Sequence, residues 1–369
     1  MLLLIPCMGI GESLLPDYQL QQEEPSPSDF SKGAWSVVVI PDTQNYVYPP
    51  KLERRYYDIL DGMMQWIAAN KDVRNIEAVV HVGDMTNNNT QKEWKIIRSC
   101  YSHLDGKVAY VVCEGNHDRN KKKKRRPGRA TRMNEVFKID QNPLNRKIFG
   151  GSFEAGQLQN AYYTFTQNGQ EFLMLALEYM TREDVVDWAV DVIKKHPEHR
   201  VFITVHEYMS ELSRLDSADG HPVPHSKREE HKQVYDLVME NPNVEFVVCG
   251  HHAALVLIEK LSPEEQEKAR ARNVGKNHPG YDRYALDRDI ATGHRTDIRE
   301  NGLAVHQILF NAQWIPNGGD GWMLLLEFQP DNKTVEVKTF SPYLEKWRTG
   351  PEFRYTLNRS FGGNHRDTQ

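Results

Sequence analysis

Five short apolar segments of this chain each end in a polar residue. The second segment leads into Gly83-Asp84, and the third leads into Gly115-Asn116-His117-Asp118. Short runs of β-branched residues that are broken by glycine are typical of buried strands in a parallel sheet. Open α/β sheets hold their ligands just past the carboxyl ends of such strands. The pattern therefore predicts an α/β protein with a ligand site at one edge of a sheet.

The polar residues that follow the five segments form one candidate set. A single Asp or His after a strand caps a helix or forms a turn more often than it binds a ligand. Chance would scatter such residues along the strands, whereas here they all lie at the same end. Carboxylates, amides and imidazoles gathered at one rim would suit a metal ion. The set comprises Asp42, Gln44, Asp84, Asn116, His206 and His251.

This ordered set resembles the calcineurin-like metallophosphoesterases. Their pattern is Asp-x-His, Gly-Asp, Gly-Asn-His-Asp/Glu, a single His and Gly-His-x-His, each at the end of a strand. The resemblance covers about residues 35 to 252. Within the family, the chain is similar to the branch with a Pro-Asp-Thr-Gln first motif, and residues 304–313 and 318–322 are similar to that branch too. It implies an α/β fold in four layers, with two mixed β-sheets packed face to face and helices on both outer sides.

The resemblance also implies a metal-dependent hydrolase of phosphoric esters, either a phosphatase or a phosphodiesterase. Two cations that share a carboxylate lie about 3.5–4 Å apart and lower the pKa of a bound water towards neutrality. A metal-bound hydroxide is therefore the expected nucleophile. The expected cofactors are two divalent ions, drawn from Mn, Fe, Zn or Mg. Asp84 is the expected bridging ligand. One site would be completed by Asn116, His206 and His251, and the other by Asp42 and Gln44.

Two positions depart from the family pattern. Gln44 stands where the family has His, and Ala253 stands where it has a second His. An amide oxygen is a poorer ligand for first-row transition metals than an imidazole, and alanine offers no ligand. We therefore expect the Asp42 site to be the weaker one and to fill with Mn²⁺ or Mg²⁺. His252 is a weak substitute, because neighbouring side chains on extended backbone point apart.

His117 is the expected acid catalyst, with a packing histidine as the alternative. It follows a metal-binding Asn and so lies near the ions without needing to bind them. Asp118 is expected to hold the His117 imidazole in a charged, oriented state. Glu178 either lines the site or only precedes a helix that Thr181 and Asp184 would cap.

The motif-bearing segments recur without a linker in a chain of 369 residues. We therefore expect one catalytic domain over residues 31–345, followed by a tail over residues 346–369. Residues 1–30 are expected to be a flexible segment, either the remnant of a signal peptide or a segment without a targeting role. The family resemblance favours a secreted or periplasmic protein, although the first ten residues lack the basic start of a signal peptide.

Apolar spacing places helices and late strands between and after the motifs. Helices that cover the sheets are predicted over 52–70, 185–193 and 228–240 and around 94–97. After His252 we expect a charged helix over 263–272 and a polar loop to about residue 301. Three strands that would form a second sheet are predicted over 303–310, 322–328 and 334–340.

Charge and hydropathy narrow the classes of partner. No apolar run approaches the ~20 residues that a membrane helix needs. The net charge of −5 argues against a general nucleic-acid binder. The basic run over residues 121–129 is a solvated loop, a nuclear-localisation or nucleic-acid patch, or a patch that attracts anionic substrates. The expected partner is a phosphorylated small molecule or macromolecule, and the rival function is a non-catalytic binding module on the same fold.

Overall fold

The computed structural model describes residues 30–48, 54–121, 127–209, 229–273, 284–286 and 289–360. Within these ranges the chain forms two seven-stranded sheets and two small two-stranded ones. Residues 1–29 of the expected flexible segment and residues 122–126 of the basic run lie outside the described residues.

The first sheet carries the first three motif strands. β1 (Trp35–Ile40), β2 (Ile76–His81) and β3 (Ala109–Val112) run parallel beside one another. All residues of β1 and β3 are buried, as expected for strands that are covered on both faces. The predicted parallel arrangement of these strands is confirmed.

Late strands extend this first sheet. β15 (Met323–Phe328) pairs antiparallel with β1 and with β16 (Thr334–Ser341). β17 (Lys346–Arg348) and β18 (Tyr355–Asn358) both pair with β16. The sheet therefore continues to residue 358, beyond the boundary expected at residue 345. These last strands have only three and four residues, which is too short for an alternation of apolar and polar residues to be recognised in the sequence.

The second sheet carries the other two motif strands. Its centre consists of β8 (Gln170–Leu177), β9 (Arg200–Val205) and β10 (Val244–Cys249), which run parallel. β14 (Ala304–Asn311) lies parallel to β10, and β13 (Ala291–Ile298) pairs antiparallel with β14. The late strands are thus shared between the two sheets, and the expectation that they form a sheet of their own is wrong.

The strand β13 occupies a segment that was expected to be a polar loop. Its first three residues are buried, but the rest of the strand is partly or fully exposed. Polar side chains such as His294 and Arg295 are therefore tolerated there, and because of them the spacing of apolar residues does not predict this strand.

Helices cover the outer faces of both sheets. α2 (Arg54–Asn70) and α3 (Gln91–Tyr101) pack on the first sheet, and α6 (Glu183–Lys195) and α7 (Glu229–Glu240) pack on the second. None of the described helices is long and apolar enough to cross a membrane.

A capping box forms at the start of α3 but not at α6. The Thr90 hydroxyl accepts from the backbone N–H of Glu93, and the Glu93 carboxylate accepts from the Thr90 N–H. The expected cap at Thr181 is wrong, because α6 is preceded by Arg182, which makes no side-chain capping bond. The Thr181 hydroxyl instead donates to the Glu178 carbonyl.

Aromatic rings join the inner faces of the two sheets. Trp35 of β1 stacks on Phe328 of β15 with ring centroids 4.1 Å apart, and it meets Phe172 of β8 edge-on at 4.9 Å. Phe246 of β10 also meets Phe328 edge-on, at 5.5 Å. Such aromatic pairs add roughly 0.5–1.5 kcal/mol each beyond the burial of their area. The expected four-layer arrangement is confirmed.

The remaining elements are mostly short. They are α1 (Gln44–Val47), β4 (Arg119–Lys121), β5 (Pro127–Thr131), α4 (Met133–Val136), α5 (Pro143–Ile148), β6 (Phe149–Ser152), β7 (Ala161–Gln167), β11 (Leu255–Leu257), α8 (Pro263–Asn273) and β12 (Tyr284–Leu286). Two of them, β7 and the edge strand β6, complete the second sheet beside β8.

Candidate metal centre

Side chains from four strand ends meet at one rim between the sheets. Asp84, His206 and His251 each place a ligand atom within 4.8 Å of the others. His206 Nε2 lies 3.3 Å from Asp84 Oδ2 and 3.2 Å from His251 Nδ1. Asn116 Oδ1 lies 3.1 Å from His206 Nε2 and 2.9 Å from His251 Nδ1. The structure thus brings together the four residues that were predicted for one metal site.

The hydrogen bonds of His206 show that this cluster fits a cation. His206 Nδ1 lies 2.8 Å from the carbonyl oxygen of Val82. A carbonyl only accepts, so Nδ1 carries a proton, and in the neutral ring Nε2 has a lone pair. That lone pair faces the oxygens of Asp84 and Asn116, which are acceptors too. When His206 Nε2 and His251 Nδ1 both carry lone pairs, four acceptors face one another, which is a suitable ligand set for a divalent ion with mixed oxygen and nitrogen preference.

The electrostatics of the ion-free cluster are consistent with this fit. Burial lowers the pKa of His206, but the Asp84 carboxylate more than offsets this effect and raises the pKa to about 10. Without an ion, a proton therefore takes the place of the positive charge at Nε2. Burial lowers the pKa of His251 to about 4, which leaves that ring neutral and able to bind a metal ion.

The second ring nitrogen of His251 has a neighbour that the sequence did not reveal. His251 Nε2 lies 3.7 Å from Glu207 Oε1. Ligating histidines usually direct their second nitrogen at a carboxylate or carbonyl, which fixes the ring. His252, Glu207 and His251 each place a ligand atom within 4.8 Å of the others, so His252 lies beside this carboxylate.

Two of the expected ligands have backbone angles that are rare for residues with a Cβ. Asp84 has φ 53° and His251 has φ 67°, both in the left-handed region. Residues in such regions persist where surrounding contacts hold them and are concentrated at functional sites. At Asp84 one such contact is the backbone N–H of His117, which donates to Asp84 Oδ1 at 2.8 Å.

Gly115 leaves the space that the Asp84 carboxylate occupies. A Cβ at residue 115 would lie 2.1 Å from Asp84 Oδ1 and 2.3 Å from the Asp84 backbone nitrogen. We predict that Gly115→Ala displaces Asp84 and lowers the metal content of the purified protein, as measured by elemental analysis. In the control Gly62→Ala, the new Cβ meets nothing within 4 Å in helix α2. This control should keep its metal and gain up to about 1 kcal/mol of stability. Equal metal content in both variants would contradict the close approach.

Asp42 is held at the same rim by residues from both sides of its carboxylate. Its Oδ1 accepts from the backbone N–H of His251 at 3.2 Å. Its Oδ2 accepts from Asn311 Nδ2 at 3.1 Å and from Gln313 Nε2 at 2.9 Å. Burial, together with the smaller effect of the Asp84 charge, raises the pKa of Asp42 to about 8 against the opposing effect of His206. A cation nearby would favour the ionised form of this carboxylate.

Asn311 and Gln313 were not identified as site residues from the sequence. Asn311 is the last residue of β14 and Gln313 follows it by two residues, the same kind of position as the five motifs. Their place at a strand end is therefore the signal that could have identified them. Gln44, which was predicted, is buried, and its amide oxygen accepts no hydrogen bond from the described residues.

The structure contradicts the predicted role of Asp118. His117 Nδ1 lies 2.8 Å from the carbonyl oxygen of Asn87, so that carbonyl orients the ring. The Asp118 carboxylate turns the other way and accepts from the backbone N–H groups of Gly115, Met85 and Thr86. Adjacent side chains in this loop point apart, and Asp118 ties the Asp84 loop to the His117 loop.

Glu178 is buried but does not reach the metal cluster. Arg129 Nη1 donates to it at 2.8 Å and Arg182 Nε donates at 2.7 Å. Its carboxylate is therefore committed to arginines. The neighbouring Tyr179 contacts the site instead, with its ring centroid 5.8 Å from that of His206 and 6.0 Å from that of His251.

Comparison with known sequences identifies a family and a relative. Residues 36–254 match the calcineurin-like phosphoesterases, a span that contains all of the predicted metal ligands. The uncharacterized protein YvnB of Bacillus subtilis is 28% identical over 330 residues, which cover 88% of this chain. This chain spans 21% of the length of that relative.

Three solved structures are similar to this chain at low sequence identity. The purple acid phosphatase PPD1 from yellow lupin seeds is 13% identical with a TM-score of 0.46, over 92% of this chain and 56% of that one. A dimetal phosphatase from Danio rerio is 12% identical with a TM-score of 0.48, over 88% and 99%. GAP50 of Plasmodium is 9% identical with a TM-score of 0.45, over 89% and 90%.

Proposed function

Because the chain belongs to the calcineurin-like phosphoesterase family, we propose that it hydrolyses phosphoric esters at a dinuclear metal site between its two sheets. Family membership supports a metal-dependent phosphoesterase in general. The observation that carries the finer proposal is the convergence of Asp84, Asn116, His206 and His251 at one rim. The substrate is proposed to be a phosphorylated small molecule or macromolecule.

The residues at the rim divide into two ligand groups around Asp84. Two divalent ions bound there would clamp the phosphoryl group and lower the pKa of the attacking water towards neutrality. Asp84 would be shared, since its Oδ2 lies beside His206 and its charge also acts on the nearby Asp42. Asn116, His206 and His251 would hold one ion, and Asp42 and Gln44 would hold the other.

His117 is proposed to donate the proton that the leaving oxygen needs. Its backbone N–H is anchored on Asp84 Oδ1, and its Nδ1 is anchored on the Asn87 carbonyl. These two contacts place the ring beside the shared carboxylate and leave Nε2 for the substrate. Asp118 acts through the backbone of both loops and is a positioning residue.

The two ions should be retained unequally. One group offers two imidazoles, an amide and a carboxylate, whereas the other offers no imidazole. Elemental analysis after mild chelation should find about one tightly held ion per chain and a second that exchanges. Two equally retained ions would contradict this asymmetry, and the absence of any bound ion would contradict the site itself.

A second candidate function follows from Gln44 and Ala253, which stand where the family pattern has histidines. On this reading the protein binds a phosphate ligand or another protein without hydrolysing it. Assays with a chromogenic phosphate monoester and a diester, each with and without Mn²⁺, separate the two candidates. Hydrolysis that rises with Mn²⁺ supports the enzyme. Metal binding without hydrolysis of either ester supports the binding module.

A further inference from the structure

We propose that Gln313 supplies the ligand that is missing at residue 253, so that the metal position beside Asp42 is built from oxygen atoms alone. The inference rests on the proposed dinuclear site. It adds to that site a residue that follows strand β14, and it assigns the position to a hard divalent cation, Mn²⁺ or Mg²⁺.

Gln313 directs one end of its amide at Asp42 and leaves the other end without a donor. The side chain is buried, and its Nε2 donates to Asp42 Oδ2 at 2.9 Å. The ionised carboxylate that a cation would favour only accepts, so this hydrogen bond fixes which end of the amide is the oxygen. Oε1 is also buried, and it accepts no hydrogen bond from the described residues. Because a buried acceptor without a donor is unfavourable, a bound cation would account for its presence.

Gln44 presents a second oxygen of the same kind. It lies two residues after Asp42, and its Oε1 is buried without a donor among the described residues. The adjacent Asn45 donates to the Gln313 carbonyl at 2.8 Å, which holds the start of α1 against the segment after β14. The two amide oxygens without donors thus belong to segments that are bonded to each other and to Asp42.

The contacts of Asp42 leave room for an ion. A carboxylate has about four lone-pair positions. His251 N–H takes one on Oδ1, and Asn311 and Gln313 take two on Oδ2. Oδ1 accepts from neither amide, so it is the Asp42 oxygen proposed to face the ion. Gln44, Gln313, Asp42 and the shared Asp84 would then supply four ligand oxygens at this position.

A position formed by four oxygens should select a different class of ion from its neighbour. Carboxylate and carbonyl oxygens suit Mg²⁺ and Mn²⁺, whereas imidazole suits Zn²⁺ and Fe²⁺. The position at His206 and His251 has two imidazoles. Gln44 and Gln313 therefore change the preferred metal of the second position, and the departures from the family pattern need not mean that the site is degraded.

Two substitutions at residue 313 separate a ligand from a residue that only positions Asp42. Both Gln313→Leu and Gln313→Glu lose the Nε2 donor, but Glu keeps an oxygen. With one equivalent of Zn²⁺ added first, Mn²⁺ binding is titrated by electron paramagnetic resonance. Gln313→Leu should weaken Mn²⁺ binding by roughly tenfold or more, since losing even a residue that only hydrogen-bonds to a metal ligand lowers metal affinity by about this factor. Gln313→Glu should bind Mn²⁺ at least as tightly as the wild type. Equal weakening in both variants would overturn the proposal.

Gln44→His tests the preference of the Asp42 position for a hard ion by changing its other amide ligand. An imidazole at residue 44 should shift the exchangeable position towards Zn²⁺ in competition with Mn²⁺, and an unchanged preference would overturn the assignment to a hard ion. The control is Gln329→Leu, which removes another buried glutamine. Residue 329 follows Phe328, which pairs with Trp35 at the start of β1. Gln329 therefore lies at the end of the sheet opposite to the metal cluster. This control should bind Mn²⁺ as the wild type does.

The titration distinguishes failure of this inference from failure of the proposed function. A wild-type protein that holds no ion would overturn the dinuclear site itself. A wild-type protein with one tight ion and one exchangeable Mn²⁺ ion that Gln313→Leu leaves unchanged would overturn the inference alone. A thermal unfolding curve for each variant shows whether a loss of binding follows from a loss of fold.

Discussion

Replacing Asp84 with Asn should remove both ions and lower kcat/KM for a chromogenic phosphate ester by roughly a thousandfold or more. Asp84 is the one carboxylate proposed to serve both ions, and bound metal supplies several kcal/mol of transition-state stabilisation. At about 1.36 kcal/mol for each factor of ten, that stabilisation corresponds to a rate loss of roughly this size. An Asn oxygen can still accept from the His117 N–H, so the loop should keep its conformation.

The matched control is Asp72→Asn, which removes a carboxylate whose side chain is 93% exposed. Metal content and hydrolysis should stay at the wild-type level in this control. Elemental analysis and steady-state kinetics on both variants provide the comparison. If Asp84→Asn kept both ions, the proposal that this carboxylate bridges them would be wrong.

Replacing His117 with Ala should lower kcat by a factor of roughly 10²–10⁴, the usual range for the loss of a general acid. Metal content should barely change, because the ring is anchored on the Asn87 carbonyl and is not proposed to bind an ion. The loss should be larger for an ester with a poor leaving group than for a nitrophenyl ester, since a poor leaving group needs the proton more.

His103→Ala is the control for this measurement. His103 lies 2.9 Å from Asp61, in a pair away from the rim, so its removal should leave the rate unchanged. If His117→Ala instead stripped the metal from the protein, His117 would be a ligand and its proposed role as an acid would be incorrect. An equal rate loss for good and poor leaving groups would likewise exclude proton donation.

The parts of the site that could be predicted from the sequence are those that depend on strand ends alone. Apolar runs that stop at Asp84 and Asn116 indicate both the strand and the edge at which its last residues emerge. This information is local, and it was sufficient to select four side chains that the structure places in contact.

The parts that could not be predicted depend on side-chain direction and on pairing between distant strands. Asp118 follows His117 immediately, yet it turns away to bind backbone N–H groups. Glu178 ends a strand as the site residues do, but arginines from elsewhere neutralise it. β15 joins the first sheet and β14 joins the second. The spacing of apolar residues within each strand does not show which sheet that strand joins.

The contact between Asp42 and Gln313 joins residues that are 271 positions apart in the chain. During synthesis, Asp42 emerges long before β14 exists, and its carboxylate then lacks both of the amide donors that hold it in the finished protein. Contacts of such wide sequence separation form late, because the entropy of closing the loop must be overcome first. The protein should therefore acquire its full capacity for metal only after its last third has folded, and a nascent chain that ends before residue 304 should lack it.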